Sequence, residues 1–180
     1  SDKNTEILEV FQRRQEAGLT ICTGRLRVTE QITGYEKKRL YGRGSRSIVP
    51  LDMPPLSFET EGVWFVLPEA VREEAESQYR HFMGGIHAAE HALIGALPFF
   101  VLCDRNDLGG ISIPFHPQAG GAAIFIYDAL SGGIGLSRQA YERPLELLAF
   151  TEDLIQRCPC RRGCPSCVHS PKCGSGNRPI

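Results

Sequence analysis

Five of the seven cysteines fall within one short stretch, Cys158-Pro-Cys160-Arg-Arg-Gly-Cys164-Pro-Ser-Cys167-Val-His-Ser-Pro-Lys-Cys173. Thiolates at this spacing are the ligand set of a closed tetrahedral zinc site, and the intervening Pro and Gly let a short loop wrap one ion. Four sulfurs fill the coordination sphere and leave no position for water, so the site is expected to be structural. A disulfide framework fits poorly. Secreted scaffolds spread their cysteines along the chain, whereas only Cys22 and Cys103 precede Cys158 here, and Cys158 and Cys160 are badly placed to cross-link to each other. An iron–sulfur cluster is the other group that four thiolates hold. Cys164-Pro-Ser-Cys167 supplies one half of the site. The other half is Cys158 with Cys160, or one of these with Cys173 as the alternative fourth ligand. The favoured set is Cys158, Cys160, Cys164 and Cys167 around one structural zinc. Cys22 and Cys103 lie in apolar stretches and read as buried thiols.

With 180 residues, 42% of them hydrophobic and 23% charged, the chain can bury a core without help from a metal. No stretch approaches the roughly 18 apolar residues of a membrane span, no signal peptide is expected, and reduced cysteines then point to the cytoplasm. It starts Ser-Asp-Lys-Asn without a methionine and stops shortly after the cysteine loop, as a C-terminal piece of a longer protein would.

The net charge of −1 hides an uneven distribution. Residues 25–46 carry seven Lys/Arg against Glu30 and Glu36, and residues 157–180 carry five and no acid, so the remainder is strongly acidic. The first basic segment, with Lys37, Lys38, Arg39, Arg43 and Arg46, interleaves cations with Tyr35 and Tyr41. That pattern suits either a nucleic-acid-tracking hairpin or a solvated hairpin tip. The second places Arg161 and Arg162 between the cysteine pairs, where a metal loop would hold them outward toward phosphates.

The element order predicts an α+β fold: a mixed sheet with packed helices, a β-rich N-terminal third and a C-terminal zinc loop. The expected division is a body over 1–157, β-rich to 67 and helix-rich over 68–157, followed by the loop at 158–178. Ile7, Leu8, Val10 and Phe11 predict a first helix near 4–17. The segments Leu19–Val28 and onward through Tyr35 alternate like a pair of strands, and Val63–Leu67 and Ala122–Tyr127 read as buried strands. Pro68 is expected to open a helix that Gly84-Gly85 breaks, with a second helix from Ile86 to Leu97. Leu147, Leu148, Thr151, Leu154 and Ile155 stripe a last helix that delivers Cys158.

The run His87-Ala-Ala-Glu90-His91 matches H-x-x-E-H, a pattern in which two histidines one turn apart bind catalytic zinc and the glutamate activates water. On a helix, Glu90 falls within the Ile86, Leu93, Leu97 stripe, where a carboxylate must find partners. Asp104, Asp107 and Asp128 lie downstream, so His87, Glu90, His91 and these three aspartates can be drawn as one buried polar cluster. It reads as a satisfied structural network, as a contact surface for nucleic acid or a neighbouring domain, or as a second metal or hydrolytic site. The loop Asp128-Ala-Leu-Ser-Gly132-Gly133-Ile-Gly135 is either a tight strand-to-helix turn or a phosphate cradle. It lacks a Walker A lysine, and nothing in the chain can drive an ATPase.

In order, HAAEHAL, CDRNDLGG, FIYDALSGGIGLSRQAYE and CPCRRGCPSCVHSPKCGSGN resemble the C-terminal zinc-binding domain, called MZB, of MrfA-type superfamily 2 DNA helicases. The resemblance is strong over residues 55–178 and looser in the first fifty. It implies an accessory module of an ATP-dependent 3′–5′ helicase acting in DNA repair, with the signature cysteines at Cys158, Cys160, Cys164 and Cys167. ATP would enter only through motor domains that this chain lacks, so the chain alone is not expected to be an enzyme. The implied partners are DNA, chiefly single-stranded, and the motor domains of the same parent. The alternatives are a structural scaffold without DNA contact and, more distantly, a metallohydrolase built on the H-x-x-E-H run.

Overall fold

The structure, a computed structural model, describes residues 2–37 and 47–180. Strand β1 (Asp2–Glu16) turns through Ala17 and Gly18, both at positive φ, into β2 (Leu19–Gln31). The short β3 (Gly34–Lys37) and β4 (Ser47–Pro50) pair with each other, and β5 (Leu56–Leu67) returns alongside β2. Two helices follow, α1 (Glu69–Ser77) and α2 (Phe82–Ala96), and then the hairpin of β6 (Leu108–His116) and β7 (Gly121–Asp128). Helices α3 (Leu136–Glu142) and α4 (Pro144–Arg157) lead into the cysteine loop.

The main sheet has the order β1-β2-β5-β7-β6, with antiparallel pairing throughout. Side chains on successive strand residues alternate between faces, and here both faces are covered. Ile21, Val63, Phe65, Ile124 and Ile126 face Ile86, Leu93, Leu97 and Leu147 of the helical layer. Cys22, Leu26, Val28, Trp64, Phe125 and Tyr127 form a second core on the opposite face, with Trp64 stacked on Phe125 at 5.6 Å. Burying each such large apolar side chain contributes about 1.5–3 kcal/mol. The sheet curls so that its two edges touch. His116 Nε2 donates to the Thr5 carbonyl at 2.9 Å, and Gln118 brackets the Ile7 backbone with bonds of 2.8 and 2.9 Å.

The α+β class, the β-rich first part and the C-terminal cysteine cluster are as the sequence predicts. Three local expectations are corrected. The first helix expected near 4–17 is instead the strand β1 through Glu16 and the turn at Ala17, and β1 takes two register shifts against β2, between Ile7 and Glu9 and between Val10 and Gln12. Each shift adds a residue to one strand. Leu8 and Phe11 fall at these irregularities, which converts an alternating apolar pattern into helix-like spacing. Second, β2 does not form a hairpin with the segment through Tyr35; its partners are β1 and β5.

Third, Gly84-Gly85 lies inside α2 instead of ending a helix. The break comes earlier, at Gln78–His81, where Tyr79 adopts positive φ and the His81 side chain caps α2 by accepting from the Gly84 amide at 2.9 Å. A Cβ on Gly84 would meet the Pro179 carbonyl oxygen at 2.4 Å, whereas Gly85 faces open space. Gly84 is therefore the groove in which the C-terminal tail lies against α2.

Candidate metal centre

Helix α4 ends at Arg157 and places Cys158 at its C-terminal boundary, with Leu147 and Thr151 buried against the body. The cysteine loop then folds back onto α2. Ala88 and Ala92, small residues one turn apart, let Cys167, Val168 and the half-buried Cys158, Cys160 and Cys164 pack on the helix with Leu154 and Ile180. The amides of Cys167 and His169 both donate to the Cys164 carbonyl, at 3.1 and 3.0 Å, closing a tight turn. Gly163 precedes it at φ +77°, where a Cβ would stand 2.6 Å from the His169 ring.

This wrapping brings the sulfurs of Cys158, Cys160, Cys164 and Cys167 within 4.8 Å of one another. Their separations include 3.5 Å for Cys158–Cys164, 3.5 Å for Cys160–Cys167 and 3.7 Å for Cys164–Cys167. A tetrahedral zinc with bonds of about 2.3 Å holds its sulfurs roughly 3.8 Å apart, whereas a disulfide needs about 2.05 Å. All four are free thiols. The Ser166 amide draws the Cys164 thiol down to about 7, while hydrogen bonding to Cys167 pushes Cys160 up to about 12. Four thiolates at this spacing repel one another unless a cation sits among them, so the donor set fits zinc in both distance and chemistry.

Helix α2 carries the H-x-x-E-H run along the wall of a cleft of about 570 Å³. Glu90 is buried, and burial lifts its carboxyl to about 7 despite the Ser112 hydroxyl donating to Oε2 at 2.8 Å. His91 is also buried; burial lowers its imidazole to about 4, and its Nδ1 donates to the Val168 carbonyl at 2.8 Å. Burial likewise lowers His87, whose ring sits edge-on to His91 with centroids 4.4 Å apart. Cys173 stands away from the four-cysteine group. Its Sγ is 3.5 Å from His87 Nε2, and His87, His91 and Cys173 offer ligand atoms within 4.8 Å of one another.

The aspartates drawn into one cluster with these residues go to separate places. Asp104 and Asp107 form a reciprocal capping box around the single turn Arg105–Asp107, and Asp104, though exposed, borders the cleft. Asp128 is fully buried at the start of α3. Its Oδ2 accepts from the amides of Ile134, Gly135 and Leu136 at 2.7–3.1 Å, and Oδ1 from that of Ser137 at 2.8 Å. The glycine loop is thus a strand-to-helix turn whose anion position is filled by the chain's own carboxylate, not a phosphate cradle.

Of the predicted basic residues, Arg161 and Arg162 are exposed on the loop between the cysteine pairs, and Lys37 is exposed at the end of β3. Lys38, Arg39, Arg43 and Arg46 lie outside the described residues. Two cations counted with the first basic segment do other work: Arg25 pairs with Glu9 at 3.4 Å, and Arg27 with Glu6 at 2.7 Å and Glu59 at 3.1 Å across the sheet. Sequence reasoning missed the Val168 carbonyl as an anchor and the grouping of Cys173 with the histidines. The i, i+4 histidine spacing was the only local signal for either.

Residues 89–168 match the family model described as the MrfA Zn-binding domain, MZB. Over 95 residues the chain is 38% identical to the uncharacterized protein MJ1572.1 of Methanocaldococcus jannaschii, covering 51% of this chain and 85% of that protein. The chain belongs to the MZB family. Two longer relatives are the uncharacterized ATP-dependent helicase YprA of Bacillus subtilis, 26% identical over 91% of this chain, and the ATP-dependent helicase HRQ1 of Saccharomyces cerevisiae, 25% identical over 96%. This MZB chain spans only 21% and 17% of their respective lengths. The MZB fold is shared with the DUF1998 helicase MrfA in its DNA-bound crystal structure, at a TM-score of 0.68 and 23% identity over 94% of this chain and 22% of that one. The chain is therefore a zinc-binding domain of the MrfA-like helicase family. Among the described residues, no helix of this MZB domain is long and apolar enough to cross a membrane.

Proposed function

We propose that this domain is an accessory module of an ATP-dependent 3′–5′ DNA helicase in DNA repair, and that its zinc-fixed loop presents Arg161 and Arg162 to the backbone of single-stranded DNA. One structural zinc, held by Cys158, Cys160, Cys164 and Cys167, supplies rigidity and no chemistry of its own. The carrying observation is the exposure of both arginines on the segment joining the cysteine pairs, a segment anchored at each end by a sulfur of the cluster. Arginines held this way lose less conformational entropy on meeting a phosphate than arginines on a tail. The likeness to helicase relatives, one of them solved bound to DNA, supports the same reading. Backbone charge then dominates, so binding is salt-sensitive and nearly sequence-independent. ATP hydrolysis belongs to motor domains of the parent protein.

Fluorescence anisotropy with a labelled single-stranded oligonucleotide at low salt tests the proposal. Arg161→Glu/Arg162→Glu is expected to weaken binding by tenfold or more, and undetectable binding by the unaltered chain would refute DNA contact by the isolated domain. A second reading, a scaffold that only docks on the motor domains, is favoured by the full exposure of Leu102 and the strong exposure of Phe99 just after α2. It requires instead that DNA binding be nil and that charge reversal change nothing.

A further inference from the structure

His87, His91 and Cys173 stand apart from the four-cysteine cluster, yet they are arranged as metal ligands usually are. One nitrogen of each ring and the Cys173 sulfur lie within 4.8 Å of one another. The 3.5 Å between His87 Nε2 and Cys173 Sγ is about the separation of a nitrogen and a sulfur on one tetrahedral zinc, with bonds of roughly 2.0 and 2.3 Å. The tautomer of His91 is set from outside. Because a carbonyl can only accept, the bond from His91 Nδ1 to Val168 puts the proton on Nδ1 and leaves the Nε2 lone pair free. A metal-bound histidine typically donates its second ring N–H to just such a backbone carbonyl.

The sulfur has its own support. The Asn177 amide donates to Cys173 Sγ at 3.2 Å, and the Ser175 hydroxyl lies 3.1 Å from it. Donors aimed at sulfur complement a metal-bound thiolate. The tail that carries Cys173 is fixed on α2, where Pro179 fills the groove at Gly84. All three side chains line the same cleft, together with Glu90.

We propose that His87, His91 and Cys173 bind a second divalent transition-metal ion of the zinc class, distinct from the ion of the four-cysteine loop. Three protein ligands leave a fourth position, which the cleft supplies with water or an anionic oxygen ligand, as at zinc sites with an open coordination position. Such softness, two imidazoles and one thiolate, selects Zn2+ or Co2+ over Mg2+ or Ca2+. The site stands whether or not Arg161 and Arg162 touch DNA.

Titration of the metal-free chain with Co2+, followed by visible absorption and confirmed by elemental zinc analysis, reads the two sites separately. The unaltered chain is expected to bind two equivalents. Cys173→Ser and His87→Gln should each reduce the total to one while leaving the strong four-sulfur spectrum in place, and Cys164→Ser should remove that spectrum and leave the weaker mixed one. A saturating total of one equivalent in the unaltered chain overturns the proposal. Retention of two equivalents in the Cys173→Ser/His87→Gln double variant overturns it as well. So does loss of the four-sulfur spectrum on Cys173→Ser alone, which would place Cys173 in the first site.

Discussion

His91 donates its Nδ1 proton to the carbonyl oxygen of Val168 at 2.8 Å, tying the middle of α2 to the residue that follows Cys167. The link couples the H-x-x-E-H helix to the cysteine loop without making either histidine a ligand of the four-cysteine cluster. It also explains why a buried imidazole is tolerated there: the ring is neutral, and its N–H is satisfied.

Removing that link leaves the Val168 carbonyl without its partner and frees the loop from the helix. In a Cys173→Ser background, which removes the nearby thiol, His91→Ala is expected to weaken zinc binding by the four-cysteine loop by about 10–100-fold, as losses of outer-shell partners do. Competition with a chromophoric chelator measures it; unchanged affinity would show that the loop is set by its own turns.

Asp128 accepts four backbone N–H bonds at the start of α3 while fully buried. In Asp128→Asn the amide nitrogen must face donors and can accept from none. The substitution is expected to cost about 3 kcal/mol, on the scale of unsatisfied buried groups, read as a lower midpoint in urea.

The two glycines of α2 are predicted to respond oppositely. Gly85→Ala fills open space on an exposed helical position and should stabilise by about 0.5–1 kcal/mol. Gly84→Ala would strike the Pro179 carbonyl and should lower stability by displacing the C-terminal tail. Thermal melts of the pair decide it.

Thiol labelling should divide the cysteines by burial and by metal. Burial pushes the Cys22 thiol up, so it should resist alkylation in the folded chain whether or not zinc is present. Cys158, Cys160 and Cys164, half-buried at the surface, should be protected with zinc bound and label after chelation. Mass spectrometry of alkylated peptides with and without chelator distinguishes the two classes.

The zinc loop was legible in the sequence because its ligands lie within one short stretch, so spacing alone carries the geometry. The buried strands at Val63–Leu67 and Ala122–Tyr127 were legible for a related reason: both faces are covered, and the run is apolar throughout. Strand β1 was not. Its two register shifts exist only relative to β2, and without them Leu8 and Phe11 mimic a helix. The meeting of Cys173 with His87 was equally hidden, because it depends on the tail folding back across 86 positions onto α2. Asp128 looked like part of a polar cluster because sequence shows its type but not the four amides that absorb its charge.

The central claim is that the zinc-fixed loop meets the DNA backbone through Arg161 and Arg162. The salt dependence of single-strand binding tests it most directly, since each phosphate contact contributes about 0.7 to the slope of log K against log salt. Comparing the unaltered chain with Arg161→Gln/Arg162→Gln, the account predicts a slope shallower by about 1.4 in the variant, on the same per-contact scale. Parallel slopes with equal affinities would contradict it and place the DNA contact, if any, elsewhere on the domain.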